Sequence, residues 1–168
     1  MKQLTKNPVL TMTLGFILGA GVMILKPQPP LKAAAGNSND KFSMATVPVS
    51  NLGDSEAVFV LDHLTGILRG GLMSGQTGGF AFTYLRNVAA DFQVNPATPE
   101  PKYSIVGGPI ALRSSGGAQP ANGVLYVAEL TSGAVIAYGF AQPRGRGSAA
   151  PLELVRLDAF SFREAVGG

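Results

Sequence analysis

Two five-residue runs, Ala57–Leu61 and Val124–Ala128, are apolar at every position, and both lead into the same punctuation. The first continues as Asp62-His63-Leu64-Thr65-Gly66 and the second as Glu129-Leu130-Thr131-Ser132-Gly133. Runs rich in Val, Leu, Phe and Tyr that end on turn residues read as strands. Gly66 and Gly133 stand where a tight turn needs positive φ, which glycine adopts without strain. Asp62 and Glu129, with Thr65 and Ser132, are placed to bond the free amides of those turns. A strand that is apolar at every position calls for burial on both faces, or on one face plus an oligomer contact. The 22 Gly and 12 Pro of this 168-residue chain also favour turns and short strands over long helices.

The two hairpins belong to a longer internal repeat. Lys41-Phe42-Ser43-Met44, followed by Pro48-Val49, matches Lys102-Tyr103-Ser104-Ile105, followed by Pro109-Ile110. The offset is 61 residues there and 67 at the hairpins, so the second copy carries a six-residue insertion in Ser114–Gly123. Phe80-Ala81-Phe82 matches Phe160-Ser161-Phe162 at an offset of 80, which places another insertion in Gln142–Pro151. Each copy, about 41–86 and 102–163, reads as strand, strand, tight turn, strand, strand. The expected fold is all-β, a duplicated antiparallel β-meander. Its two sheets stack as a sandwich, join into one sheet or barrel, or serve as propeller-like blades shared between paired chains. Residues 86–93 form one short helix or an irregular connection, and the prolines at 96, 99 and 101 mark a loop.

The N-terminus supplies an address. Lys2 and Lys6 precede the uncharged apolar stretch Pro8–Leu25, and Lys26, Pro27, Pro29 and Pro30 close it. Eighteen helical residues span roughly 27 Å, close to the about 30 Å of a bilayer core. Residues 1–26 are therefore a signal anchor holding the chain to a membrane through residues 8–25, or a signal peptide cleaved after Ala33-Ala34-Ala35. Either places the remainder outside the cytoplasm: at the cell membrane as a single-pass protein, or secreted or periplasmic. Gly15 and Gly19 form a GxxxG pattern suited to close helix pairing. Residues 27–40, rich in Pro, Ala, Asn and Ser, read as a linker. The net charge of +3 belongs to this region, because in residues 27–168 three Lys and seven Arg balance ten Asp and Glu. The basic pI is thus a topology signal and not a nucleic-acid footprint.

The chemistry is sparse. With no Cys, thiolate metal sites, disulfides and catalytic thiols are excluded. The single histidine, His63, falls in a hairpin turn, where a solvated imidazole is expected; one His with scattered carboxylates makes no typical zinc site. Ser38-Asn39-Asp40-Lys41 spells S-x-x-K but lacks the K-T-G partner of penicillin-binding enzymes. Ser74–Gly79 is glycine-rich without the Lys of a phosphate loop and joins two strands. Asp62 and Glu129 would make an acid–base pair only if the copies faced each other within about 5–10 Å. No catalytic, cofactor or metal residue is assigned. The candidate binding residues are Asp62, Thr65, Glu129, Ser132, Tyr126 and Tyr138.

The hairpin Val58–Leu68, with Asp62-His63-Leu64-Thr65-Gly66 at its tip, resembles the blades of quinoprotein-type β-propellers, without the Trp that follows the turn in those proteins. The resemblance implies a blade-like sheet and carries no cofactor. The tandem hairpins are also similar to those of uncharacterised exported bacterial proteins, which imply no activity. The expected function is non-enzymatic: an extracytoplasmic, membrane-tethered binding or assembly module, with a homo-oligomer as one partner arrangement. The alternative is a small-molecule or glycan-binding domain using Phe59, Tyr84, Tyr103, Tyr126 and Tyr138, most of which lie in strands and suit a core.

Overall fold

A computed structural model describes residues 36–49, 55–94, 101–113, 119–143, 145 and 147–163. The expected anchor or signal peptide and its Gly15/Gly19 pattern lie outside the described residues. Among the described residues no helix is long and apolar enough to cross a membrane. In chain order the elements are β1 (Gly36–Ser38), β2 (Phe42–Pro48), β3 (Glu56–Asp62), β4 (Ile67–Met73), β5 (Phe80–Asn87), a one-turn helix α1 (Val88–Asp91), β6 (Tyr103–Pro109), β7 (Gly123–Glu129), β8 (Ala134–Gly139), β9 (Leu152–Glu153) and β10 (Val155–Ser161). They form two sheets, β1-β2-β3-β4-β5-β9 and β10-β8-β7-β6. Every pairing is antiparallel except β5 with β9. Each sheet ends on two different strands, so neither closes into a barrel.

The local chemistry of the hairpins fixes the register. Phe42 pairs with Asp62 and Tyr103 with Glu129; across the turns, Asp62 pairs with Ile67 and Glu129 with Ala134. The His63 amide donates to the Lys41 carbonyl and the Leu130 amide to the Lys102 carbonyl, both at 2.9 Å. Gly66 and Gly133 adopt φ of 64° and 67°, which closes both four-residue loops. The fourth strands enter differently from the sequence match. Asn87 lies opposite Ile67 and Ser161 opposite Ala134, and the amides of Val88 and Phe162 donate to the Gly66 and Gly133 carbonyls. The offset in space is therefore 74 residues. Phe80 sits at the far end of β4 opposite Met73, whereas Phe160 sits beside the turn opposite Val135. The alignment of Phe80–Phe82 with Phe160–Phe162 is thus one of residue type and not of position.

Two further departures come from backbone pairing that side chains do not announce. Gly36–Ser38, inside the stretch expected as the 27–40 linker, is β1 and pairs with β2. Leu152–Glu153, at the edge of the expected insertion, crosses to the first sheet and pairs with Tyr84 and Leu85 of β5.

One core joins the sheets. Ala45, Val47, Phe59, Leu61 and Leu68 of the first sheet cluster with Ile105, Leu125, Val127, Ile136 and Tyr138 of the second. The Phe140 ring lies 5.1 Å from Phe59 and 5.2 Å from Tyr84. Each fully buried Leu, Ile or Phe of this set contributes about 1.5–3 kcal/mol. The first all-apolar run buries alternate residues, with Ala57, Phe59 and Leu61 sealed and Val58 and Val60 partly exposed; the second buries Val124, Leu125 and Val127 and leaves Tyr126 exposed.

The sheets approach most closely where β2 crosses β6. A Cβ on Gly107 would collide with the Thr46 carbonyl oxygen, and one on Gly123 with the Pro48 carbonyl oxygen. Backbone cannot retreat as a flexible side chain does, so only glycine fits. Gly107→Ala should therefore destabilise the fold by about 1–3 kcal/mol, seen as a lower melting temperature. Gly75→Ala, with nothing within 4 Å, should leave it unchanged. Equal melting temperatures for the two variants would contradict the close crossing.

Candidate functional site

Both turn carboxylates are consumed by their own turns. Asp62 accepts the Leu64 amide at 2.9 Å and the Thr65 hydroxyl at 3.0 Å, and these bonds hold its carboxyl below the ordinary value. Glu129 accepts the Thr131 amide at 2.8 Å and the Ser132 amide. Burial alone would raise the Glu129 carboxyl, but the two amides outweigh it and lower it. The difference between the turns is burial. Asp62 is partly exposed, whereas Glu129 is 1% exposed and points inward from β7.

His63 departs from the expected solvated imidazole. It is 6% exposed, because the first loop turns its first residue in against Ser43 of β2. Its Nε2 lies 2.8 Å from Ser43 Oγ, and that hydroxyl also reaches Ser38 Oγ at 2.8 Å and the Tyr103 carbonyl at 3.3 Å. The ring packs edge-on to Tyr103, with centroids 5.7 Å apart. Burial pushes the imidazole below its ordinary value, against the Asp40 backbone hydrogen bond and the charges of Asp62 and Asp40. Tyr103 is itself 4% exposed; burial, and then the Glu129 charge, pushes its phenol up to about 12. The Tyr103 hydroxyl has no hydrogen-bond partner among the described residues.

Above this network lies an open cleft of about 450 Å³ lined by Ser38, Asn39, Asp40, His63, Pro101, Lys102 and Tyr103. Its rim offers an amide, a carboxylate and an ammonium. A serine hydroxyl beside a histidine suggests nucleophilic chemistry. However, Ser43 is fully buried and its oxygen is already engaged by three neighbours, so the pair is a structural lock under the cleft.

A second polar network spans the sheets. The Arg86 guanidinium of β5 donates to both Asp91 carboxylate oxygens at 2.7 Å, to Glu153 at 2.7 Å and to the Leu154 carbonyl at 3.2 Å. The Tyr138 hydroxyl of β8 donates to the same Asp91 carboxylate at 2.8 Å. Burial would raise Asp91, but Arg86 and Tyr138 hold it below the ordinary carboxylate range. Asn87 caps α1 by accepting the Ala90 amide at 3.1 Å, which sets Asp91 on its helical turn. With Glu153 largely exposed, the Asp91 arm is the stronger of the two ion pairs.

The six sequence candidates do not form one site. Asp62 and Thr65 share one turn, and Glu129 and Ser132 the other, on different sheets. Asp62 and Thr65 line a small groove of about 260 Å³ with Val60, Ile67 and Arg69. Tyr126 is exposed on the outer face of the second sheet, while Tyr138 is a core residue with its hydroxyl spent on Asp91. The cleft residues Asn39, Asp40 and Lys102 were not singled out from sequence as ligand-facing. Lys102 alone carried a signal, as the counterpart of Lys41 in the internal match. No family model, curated protein or solved structure matches this chain.

Two outcomes follow from this geometry. Glu129→Ala leaves two turn amides without their acceptor and should cost about 1–3 kcal/mol by chemical denaturation; Asp62→Ala, in solvent, should cost clearly less. His63 is held neutral in the fold and is the chain's single histidine. The unfolded chain takes up a proton near pH 6.5 that the folded chain resists. Stability is thus complete above about pH 6.5 and falls as pH drops through the lowered value. In His63→Leu, the melting temperature should lose this dependence between about pH 7 and 5. An unchanged pH profile would contradict the buried neutral imidazole.

Proposed function

We propose that this chain is a non-enzymatic, extracytoplasmic binding or assembly module, tethered to a membrane through residues 8–25. Its described part would be two blade-like units derived from duplication, as in the exported bacterial proteins with tandem hairpins that its sequence resembles. The observation that carries the reading is the placement of its apolar surface. Phe42, Met44, Val106, Tyr126 and Phe160 remain exposed on the sheets even though the core is full. Phe42 and Met44 lie on the outer face of the first sheet and Val106, Tyr126 and Phe160 on that of the second, and exposed apolar groups on a sheet face suit an interaction surface. The groups able to perform catalysis support the same reading, because Ser43, His63, Asp91 and Glu129 are each engaged within the fold.

The cleft above His63 favours a second reading, a small-molecule or glycan-binding domain. Asp40 and Lys102 supply an acceptor and a donor in a concave setting, with the amide nitrogen of Asn39 as a further donor, its oxygen being held by the Lys41 and Phe42 amides.

External protease applied to cells making the full chain tests the address. The expected result is digestion of residues 41–163 while the N-terminal segment stays in the membrane fraction. A mature chain beginning at Gly36 would keep the export and replace the tether with a cleaved signal. A chain reached by protease only after lysis would overturn the address. A glycan and metabolite panel raising the melting temperature, with the rise lost in Lys102→Ala, would instead favour the second reading.

A further inference from the structure

The two sheets do not pack through equivalent faces. Strand pairing and turn hydrogen bonds align β2 with β6 at 61 residues, and β3–β4 with β7–β8 at 67. On that alignment the core faces are opposite ones. The first sheet buries Ala45, Phe59, Leu61 and Leu68. Their counterparts Val106, Tyr126, Ala128 and Val135 lie on the outer face of the second sheet, where Val106 is 54% and Tyr126 37% exposed. The second sheet instead buries Tyr103, Ile105, Leu125 and Val127, whose counterparts Phe42, Met44, Val58 and Val60 lie on the outer face of the first.

The stacking is therefore front to back. The outer face of the second sheet has the aromatic and aliphatic character of the face that already receives a sheet within the chain. The outer face of the first sheet matches the received face at Phe42, Met44, Val58 and Val60 and differs from it at Thr46 and Glu56, which stand where that face has Gly107 and Gly123. We propose that a second copy of this chain docks the outer face of its first sheet onto the outer face of the second sheet, repeating between chains the interface formed within one. This deepens the assembly reading above and rests on it.

Charge is sparse on both faces: Asp158, opposite Ala137, lies on the outer face of the second sheet, and Arg69 on the outer face of the first shares a groove with Asp62, with Glu56 further along the same strand face. Thr46 stands where the inner crossing has Gly107, the residue whose absent Cβ admits a carbonyl oxygen. The crossing between copies is accordingly wider than the one inside the chain. Such a head-to-tail contact joins unlike surfaces, and it closes into a ring or grows into a filament according to its rotation.

The absence of cysteine allows a direct test on the full chain in its membrane or detergent-extracted form. Within the chain Ser43 touches the Tyr103 backbone; the counterparts between chains are Ser104 of one copy and Phe42 of the next. The double variant Phe42→Cys/Ser104→Cys, treated with a short bis-maleimide, should give covalent dimers or higher species that neither single variant gives. Adding Tyr126→Lys should abolish those bands, with the melting temperature unchanged. Cross-linking of either single variant to the same extent would mean that like faces meet. It would overturn the inference while leaving an assembly module. A double variant that stays monomeric, still exported and tethered, would overturn the inference and leave the binding reading standing.

Discussion

Backbone touches backbone where β2 crosses β6, and the rest of the structure depends on that contact. Gly107 and Gly123 offer no Cβ to hold the strands apart, so the Thr46 and Pro48 carbonyls come within reach of them. With the sheets this close, Phe140 can pack against both Phe59 and Tyr84, which also touch each other, and the Tyr84 hydroxyl can reach the Ala141 carbonyl at 3.2 Å. The same closeness lets Tyr138 of one sheet share Asp91 with Arg86 of the other. A wider gap would open the core and leave these polar atoms buried without partners, a cost of about 1–3 kcal/mol each.

The hairpins were legible in the sequence; the crossing that joins the sheets was not. The turn residues Asp62, Thr65 and Gly66, and their counterparts Glu129, Ser132 and Gly133, set both hairpins by local chemistry that needs no tertiary context. What the sequence left open was which face each sheet buries. In a strand such as Ala57–Leu61 both parities are apolar, so alternation, the usual signal of the inner face, is silent. The burial of Tyr138 and the exposure of Tyr126 were undetermined for that reason. His63 was misjudged because a turn residue is ordinarily solvated, and only the tertiary position of Tyr103 seals it. β1 and β9 escaped notice because two or three residues of ladder leave no periodic trace.

The polar chemistry of the fold is mostly spent on itself. Glu129 satisfies amides, Asp91 joins the two sheets, and Ser43 with His63 fills the space beneath a cleft. Among the described residues, what faces outward includes a polar cleft at one place and, at others, sheet faces on which apolar side chains stand exposed. The apolar faces are the larger commitment, since each exposed Phe, Tyr or Val there forgoes stabilisation that burial would supply.

The excursion of β9 has a kinetic meaning. The chain leaves β8, crosses to lie parallel with β5, and returns at once to place β10 beside β8. Tyr84 and Leu152 are far apart in sequence, so their pairing closes a long loop and is slow by its entropy. By that entropy the pairing is expected after the local hairpins. Once made, it ties the segment leading into β10 to the first sheet, so the two sheets are joined by backbone pairing as well as by their shared core.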